Sequence, residues 1–207
     1  MKSLCLVILL LSPFLRILEF QKGATVNPAT SEFKLIVPKA GWEQIFFEAI
    51  NERTRIANLR SLRVALPKDD LELRVWNGFG LTALEGFVLQ RRGGKWSAVH
   101  LEGIHSGLPK REYQKQLSEP KSGWDNAWRK LMEMGITTLP DAEAIGCSPS
   151  VLDGMSYVVE LNNERTYRTY LYDNPSYAKC EQAKRMISIG NFIAAEFGVP
   201  EMATRDK

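Results

Sequence analysis

Two pairs of segments with alternating polar and apolar residues, each joined by a four-residue turn, limit the fold more than any other feature. One pair spans residues 86–90 and 95–101 around an Arg-Arg-Gly-Gly turn, and the other spans 156–161 and 166–172 around Asn-Asn-Glu-Arg. Period-two alternation predicts half-buried strands, and Gly and Asn tolerate the backbone angles of tight turns. The sequence therefore predicts two β-hairpins, with 71–76 as a flanking strand.

Three segments have the helical period instead. Apolar stripes at i, i+3 and i+4 spacing occupy residues 41–51, 124–134 and 178–197. Strands and helices that do not alternate regularly are typical of the α+β class. We expect an antiparallel sheet of two hairpins plus a flanking strand, with helices packed on one face and the other face free.

The N-terminus has the pattern of an export signal. Lys2 precedes a twelve-residue apolar run, 4–15, which has the length of a signal-peptide core and is too short to span a bilayer. No A-x-A cleavage pattern follows Arg16, so residues 1–23 are either a signal peptide or an uncleaved membrane anchor. A buried N-terminal core helix is the third interpretation. The first two predict a periplasmic or secreted protein that contacts the membrane only through this segment.

The remaining residues fit one domain. The chain has 207 residues, of which the small, polar stretch 24–40 is predicted to be a linker, 41–200 a single α+β domain and 201–207 a tail. The formal net charge is +3, and part of that excess lies in the signal segment. A domain without a concentrated basic surface is not expected to bind nucleic acid.

Three stretches carry a resemblance. RVWNGFGLTALEGFVL with KWSAVHL, WRKLMEMGITTLPDAE and LDGMSYVVELNNERTYRTYLYDNP together resemble uncharacterised secreted or lipoprotein-like bacterial domains. The resemblance covers roughly residues 70–197. It implies a common fold unit and an exported location, and it implies no activity and no functional residue.

The cysteines favour one disulfide. Cys5 lies in the signal segment, which leaves Cys147 and Cys180 as a pair in an exported chain. A bridge between them would contribute about 4 kcal/mol in the chain-entropy model. The alternative is two unlinked, small apolar residues. No second Cys or His stands at ligand spacing, so neither a metal site nor a cofactor is predicted.

One histidine is a candidate catalytic residue. His100 lies on the strand 95–101 and could act as a general base, with His105 nearby and Glu102 as its orienting carboxylate. The sequence has no G-x-S-x-G elbow to supply a nucleophile. A half-buried strand histidine is the alternative interpretation, and whether the chain is an enzyme stays open, with non-catalytic function favoured.

The most unusual local composition lies on the strand 166–172. Arg168, Tyr170 and Tyr172 point to one side of it, as an exposed aromatic and basic face that binds a protein or a glycan would require. Ordinary strand propensity of Tyr is the alternative explanation. The sequence therefore favours an exported non-catalytic binding or interaction domain, with a small hydrolase-like enzyme using His100 as the alternative. A purely structural role in the cell envelope is indistinguishable from the first.

Overall fold

The computed structural model of the chain describes five stretches, which are residues 32–38, 43–79, 82–102, 114–149 and 155–200. They all belong to one compact unit, Ser31–Lys207. The predicted signal or anchor 1–23 and the predicted tail 201–207 lie outside the described residues, as does His105.

These residues form a seven-stranded sheet and three α-helices, which confirms the α+β class. In chain order the elements are β1 (Lys34–Ile36), α1 (Glu43–Ile56), β2 (Leu71–Phe79), β3 (Thr82–Arg92), β4 (Lys95–Leu101), β5 (Gln114–Leu117), α2 (Trp124–Glu133), a short 3-10 helix (Glu143–Ile145), β6 (Ser156–Asn163), β7 (Thr166–Asp173) and α3 (Glu181–Phe197). The strand order across the sheet is β1-β7-β6-β2-β3-β4-β5.

Both predicted hairpins are present and share β2 as their common neighbour. β3 pairs with β4 and β6 with β7, while β2 pairs antiparallel with both β3 and β6. In the β3–β4 turn, Gly93 and Gly94 have φ angles of +53° and +77°, which glycine adopts without steric cost. The turn residues therefore act as the sequence predicts.

The sheet is mixed rather than purely antiparallel. β1 pairs in parallel with β7, through Lys34 with Thr166, Leu35 with Tyr167 and Ile36 with Arg168. β1 lies in the stretch 24–40 that was expected to be a linker, and β5 lies where no strand was predicted. Strands of three and four residues are too short to show a period, which is why the sequence did not reveal them.

Helices cover both faces of the sheet, so the expectation of helices on one face only is wrong. On one face, α2 and α3 pack against residues such as Leu73, Val75 and Val159. On the other, Ile50 of α1 and Ala57, which directly follows that helix, pack in a second apolar cluster that includes Trp76 and Val158. Successive strand residues point to opposite faces, so these are two separate cores. Among the described residues, neither face of the central strands β2 and β6 is left free.

The predicted disulfide is present. Cys147 and Cys180 are bonded across a sequence separation of 33 residues, with their Cα atoms 6.0 Å apart. The Cys180 sulfur also accepts a hydrogen bond from the Ala183 backbone N–H, at 3.3 Å, and so caps the start of α3. The bridge ties the segment that follows the short 3-10 helix to the N-terminus of α3.

Candidate functional site

A cavity of about 680 Å³ lies where β2 begins, β3 ends and the β6–β7 turn projects. β1 contributes Ile36 to its wall, and α2 contributes Trp128 and Met132. Its volume falls in the range of sites that hold small molecules or side chains. The charged residues of its lining are Asp69, Asp70, Arg91, Glu164, Arg165 and Arg168.

Several of these charged groups already have a hydrogen-bond or ion-pair partner. Arg91 Nε donates to the Asp69 carbonyl at 3.1 Å, and Asp70 Oδ1 accepts from the Gly93 backbone N–H at 2.8 Å. Arg165 Nε lies 3.2 Å from Glu164 Oε1. Because three cations and three anions line this cavity, and Arg165 pairs with Glu164, the cavity is amphipathic rather than a binding site for one sign of charge.

A second cavity, of about 450 Å³, shares Ile36 and Arg168 with the first. The Arg168 guanidinium donates to the carbonyls of Thr137 and Leu139, and its carbon lies 5.0 Å from the centre of the Tyr170 ring. These contacts fix the arginine in place. Arg168 is therefore a rigid wall that the two cavities have in common.

The smaller cavity also contains two buried polar groups, Asp141 and Thr169. Asp141 is 8% exposed, and its oxygens accept backbone N–H groups of Glu143 at 3.1 Å and Leu171 at 2.9 Å. Thr169 is 2% exposed, and its hydroxyl has no hydrogen-bond partner in the described part of the chain. Buried hydroxyls are normally hydrogen-bonded, so this one needs an explanation.

β1 forms the rim of both cavities. It is the terminal strand of the sheet, and the Lys34 backbone N–H joins it to the Arg165 carbonyl at 2.9 Å. Leu35 and Ile36 are 56% and 49% exposed. Pro38 follows the strand and lacks the N–H that would continue the ladder along β7. The outer edge of β1 is therefore an open, apolar strand edge within the described residues.

The predicted aromatic face on β7 is not exposed, so that prediction is wrong for the two tyrosines. Arg168, Tyr170 and Tyr172 do point to one side, but that side carries α2 and α3, and both rings are buried at 1% and 0% exposure. Burial raises the pKa of Tyr170. Burial and then the nearby charge of Asp141 raise the pKa of Tyr172 to about 12. Of the three, only Arg168 lines the cavities.

His100 is a buried strand residue. It is 3% exposed, its Nε2 lies 3.7 Å from Glu85 Oε2, and none of the described residues forms a hydrogen bond with that nitrogen. The predicted orienting residue, Glu102, instead offers its backbone carbonyl to the guanidinium of Arg53. The carboxylate nearest His100 therefore comes from β3, directly beside the strand that holds the histidine.

A polar network beneath α1 was missed by the sequence reasoning. Glu72 lies 2.6 Å from the Arg74 guanidinium and also contacts Arg60 and Arg92. On β6, Glu160 accepts hydrogen bonds from Trp76 Nε1 and the Tyr167 hydroxyl, each at 2.7 Å. The charged residues of β2 alternate with apolar ones, as on an exposed face, and only the position of α1 reveals their burial.

Comparison of the sequence with protein-family models and with curated proteins finds no match. Among the described residues, no helix combines the length and the apolar character that crossing a bilayer requires. In the same part of the chain, no group of three or more His, Cys, Asp or Glu side chains is placed to hold a metal ion. Inferences about function therefore depend on the geometry of the two cavities and of β1.

Proposed function

We propose that the chain is an exported, non-catalytic binding domain whose partner is an extended peptide segment of another protein. The segment lies alongside β1 and places side chains in the two cavities beside Arg168. Export is supported by the signal pattern of residues 1–23 and by the disulfide between Cys147 and Cys180, since disulfides persist in oxidising compartments.

The open edge of β1 is the observation that carries the proposal. An exposed strand edge presents backbone N–H and C=O groups that an incoming strand can pair with. In strand addition, these main-chain hydrogen bonds give affinity, and pockets for alternate side chains give specificity. β1 offers an open main-chain edge, and Ile36 at its end lines the two cavities, which would serve as the side-chain pockets.

The chemistry of the larger cavity favours a peptide over a glycan. Ile36, Leu71, Met132 and Leu161 provide apolar surface, beside balanced charges. Sugars bind best on exposed aromatic rings, and Trp128 is the aromatic residue of this lining. With Tyr170 and Tyr172 buried in the core, little stacking surface is left.

The alternative, a small hydrolase-like enzyme, has one supporting observation, the Glu85 carboxylate 3.7 Å from His100. A general base must reach the proton that it abstracts within hydrogen-bond distance. His100 is 3% exposed, and its Nε2 makes no hydrogen bond to a serine, cysteine or other side chain in the described residues. The binding function is therefore the better supported of the two.

The test is selection of random twelve-residue peptides displayed on phage against the immobilised full-length chain. We expect enriched peptides to contain alternating apolar residues, as a strand beside β1 would. The variant Met132→Arg places a bulky cation in the larger cavity, where Met132 is 42% exposed. Affinity of the enriched peptides for this variant should fall by about tenfold or more, a difference of about 1.4 kcal/mol.

Tyr177→Arg is the matched control. Tyr177 is 54% exposed and lines neither cavity, so this variant adds the same charge at an apolar surface position elsewhere. It should bind the enriched peptides as the wild type does. Equal loss of binding in both variants, or no loss in either, would show that peptides do not bind in the larger cavity. Equal thermal unfolding midpoints confirm that both variants fold.

A further inference from the structure

The smaller cavity has a buried carboxylate, Asp141, in its lining. In the described part of the chain, Asp141 accepts hydrogen bonds from two backbone N–H groups, and no Lys, Arg or His nitrogen forms an ion pair with it. Buried charges in proteins are usually paired or bound to a ligand. The Glu143 carboxylate, at the exposed rim, adds a second negative charge to the same lining.

The Thr169 hydroxyl is an independent observation at the same place. Its oxygen is buried and has no hydrogen-bond partner within the described chain, and the residue lines the cavity that Asp141 lines. An unsatisfied buried hydroxyl destabilises the fold unless a water or a ligand group satisfies it. Thr169 and Asp141 therefore bring two buried residues with acceptor oxygens into the lining of one cavity.

The remaining walls of the smaller cavity define which chemical groups a ligand with a donor for these oxygens must also have. Ile36, Val37, Pro38 and Ala144 are apolar and line the same space. The Arg168 guanidinium donates to the carbonyls of Thr137 and Leu139, and it offsets only one of the two carboxylate charges. The cavity thus combines a net negative charge, two buried acceptors and an apolar wall.

We propose that the smaller cavity binds a primary ammonium group on an aliphatic chain. An ammonium is a compact point charge with three donors, enough for Asp141, Thr169 and Glu143 together. A guanidinium fits less well, because its planar fork needs both oxygens of one carboxylate, and the two Asp141 oxygens already accept backbone N–H groups. The ammonium could belong to a free alkylamine or to a lysine side chain of a peptide, so the inference does not require a peptide beside β1.

The experiment titrates the full-length chain with two ammonium probes and their neutral counterparts. The probes are n-butylammonium and N-acetyl-lysine N-methylamide, and the counterparts are n-butanol and N-acetyl-norleucine N-methylamide. We expect amide chemical shifts around Thr169 to change with the ammonium probes, and neutral counterparts to bind at least tenfold more weakly. Binding of both probes supports a general amine site, and binding of the lysine probe alone supports a site for peptide lysines.

The variant Thr169→Val separates a binding role from a structural one. Removal of an unsatisfied hydroxyl should leave the thermal unfolding midpoint unchanged or raised, while the Kd of both probes rises by about tenfold. Because Glu143 is exposed, Glu143→Gln tests the second carboxylate without disturbing the fold, and it should weaken binding severalfold. Glu164→Gln is its matched control, since Glu164 lines only the larger cavity.

Three results would overturn the proposal. One is the absence of binding by either ammonium probe up to its solubility limit. Another is equal binding of the neutral counterparts, which would mean that the cavity recognises the aliphatic chain alone. The third is a Thr169→Val variant that binds both probes as the wild type does, because the hydroxyl would then have no part in recognition.

Discussion

Beneath α1 and at the outer edge of β7, the fold buries polar side chains in two different ways. Beneath α1, the Glu72 carboxylate contacts three arginines, and Glu160 accepts hydrogen bonds from Trp76 and Tyr167. At the β7 edge, by contrast, Asp141 forms no ion pair and the Thr169 hydroxyl has no hydrogen-bond partner among the described residues.

This difference predicts a structural role for the region beneath α1 and a binding role for the region at the β7 edge. A buried carboxylate with several partners, such as Glu72 or Glu160, rigidifies the core and has little left to offer a ligand. Buried polar groups without partners reduce stability and persist where something else satisfies them. The first region is therefore expected to respond to mutation through stability, and the second through binding.

The largest expected effect is in the network around Glu72 beneath α1. Glu72→Gln removes the negative charge beside Arg74, whose side chain is 2% exposed, and leaves a buried cation without its carboxylate. Breaking a buried pair in this way costs about 3–5 kcal/mol. Urea unfolding, followed by the fluorescence of the tryptophans, measures the change in the free energy of unfolding.

Glu52→Gln is the control for that prediction. Glu52 also forms a salt bridge with an arginine, Arg55, at 2.6 Å, but the two side chains are 53% and 65% exposed. Exposed pairs contribute little to stability, so the unfolding midpoint should not change measurably. If Glu72→Gln were no more destabilising than Glu52→Gln, the network beneath α1 would not be the structural element inferred here.

A second, smaller effect on stability is expected at Tyr170 and Tyr172, two tyrosines of β7 that lie on the same face. The Tyr170 hydroxyl donates to the Ile136 carbonyl at 2.8 Å, whereas the equally buried Tyr172 hydroxyl has no partner among the described residues. Tyr170→Phe should lose about 1 kcal/mol of unfolding free energy, and Tyr172→Phe should lose none or gain stability. Chemical denaturation of the two variants measures both values. Equal losses would mean that an unsatisfied hydroxyl in this fold carries no penalty.

The sequence predicted the elements that carry their own period. Alternating polar and apolar residues predicted β2 and both hairpins, the glycines predicted the β3–β4 turn, and helical spacing predicted α2 and α3. These signals are local in the sequence. β1 and β5 exist only through their neighbours in the sheet, and three or four residues contain no period. That α1 covers the second face of the sheet likewise depends on tertiary packing, although the apolar stripe of this helix was predicted from the sequence.

The candidate site was predictable only in part. The unusual composition of β7 drew attention to Arg168, which lines both cavities, but the period of a strand shows which residues share a face and not which face is covered. Ile36, Asp141 and Thr169 come from three distant segments, and no local pattern connects them. The property that marks this region, polar burial without partners, is defined only after folding.

The smallest expected effect is the pH dependence that Tyr172 contributes. The folded state raises the pKa of its phenol to about 12, chiefly through burial, whereas an unfolded tyrosine titrates near 10. Between these values the unfolded chain releases a proton that the folded chain retains. The phenol of Tyr172 therefore leaves stability independent of pH below pH 10 and lowers it as the pH rises toward 12, with a slope of at most about 1.4 kcal/mol per pH unit. Denaturation at several pH values should show a shallower alkaline loss in Tyr172→Phe than in the wild type. An identical loss in both proteins would show that the buried site of Tyr172 does not hold its phenol in the neutral form.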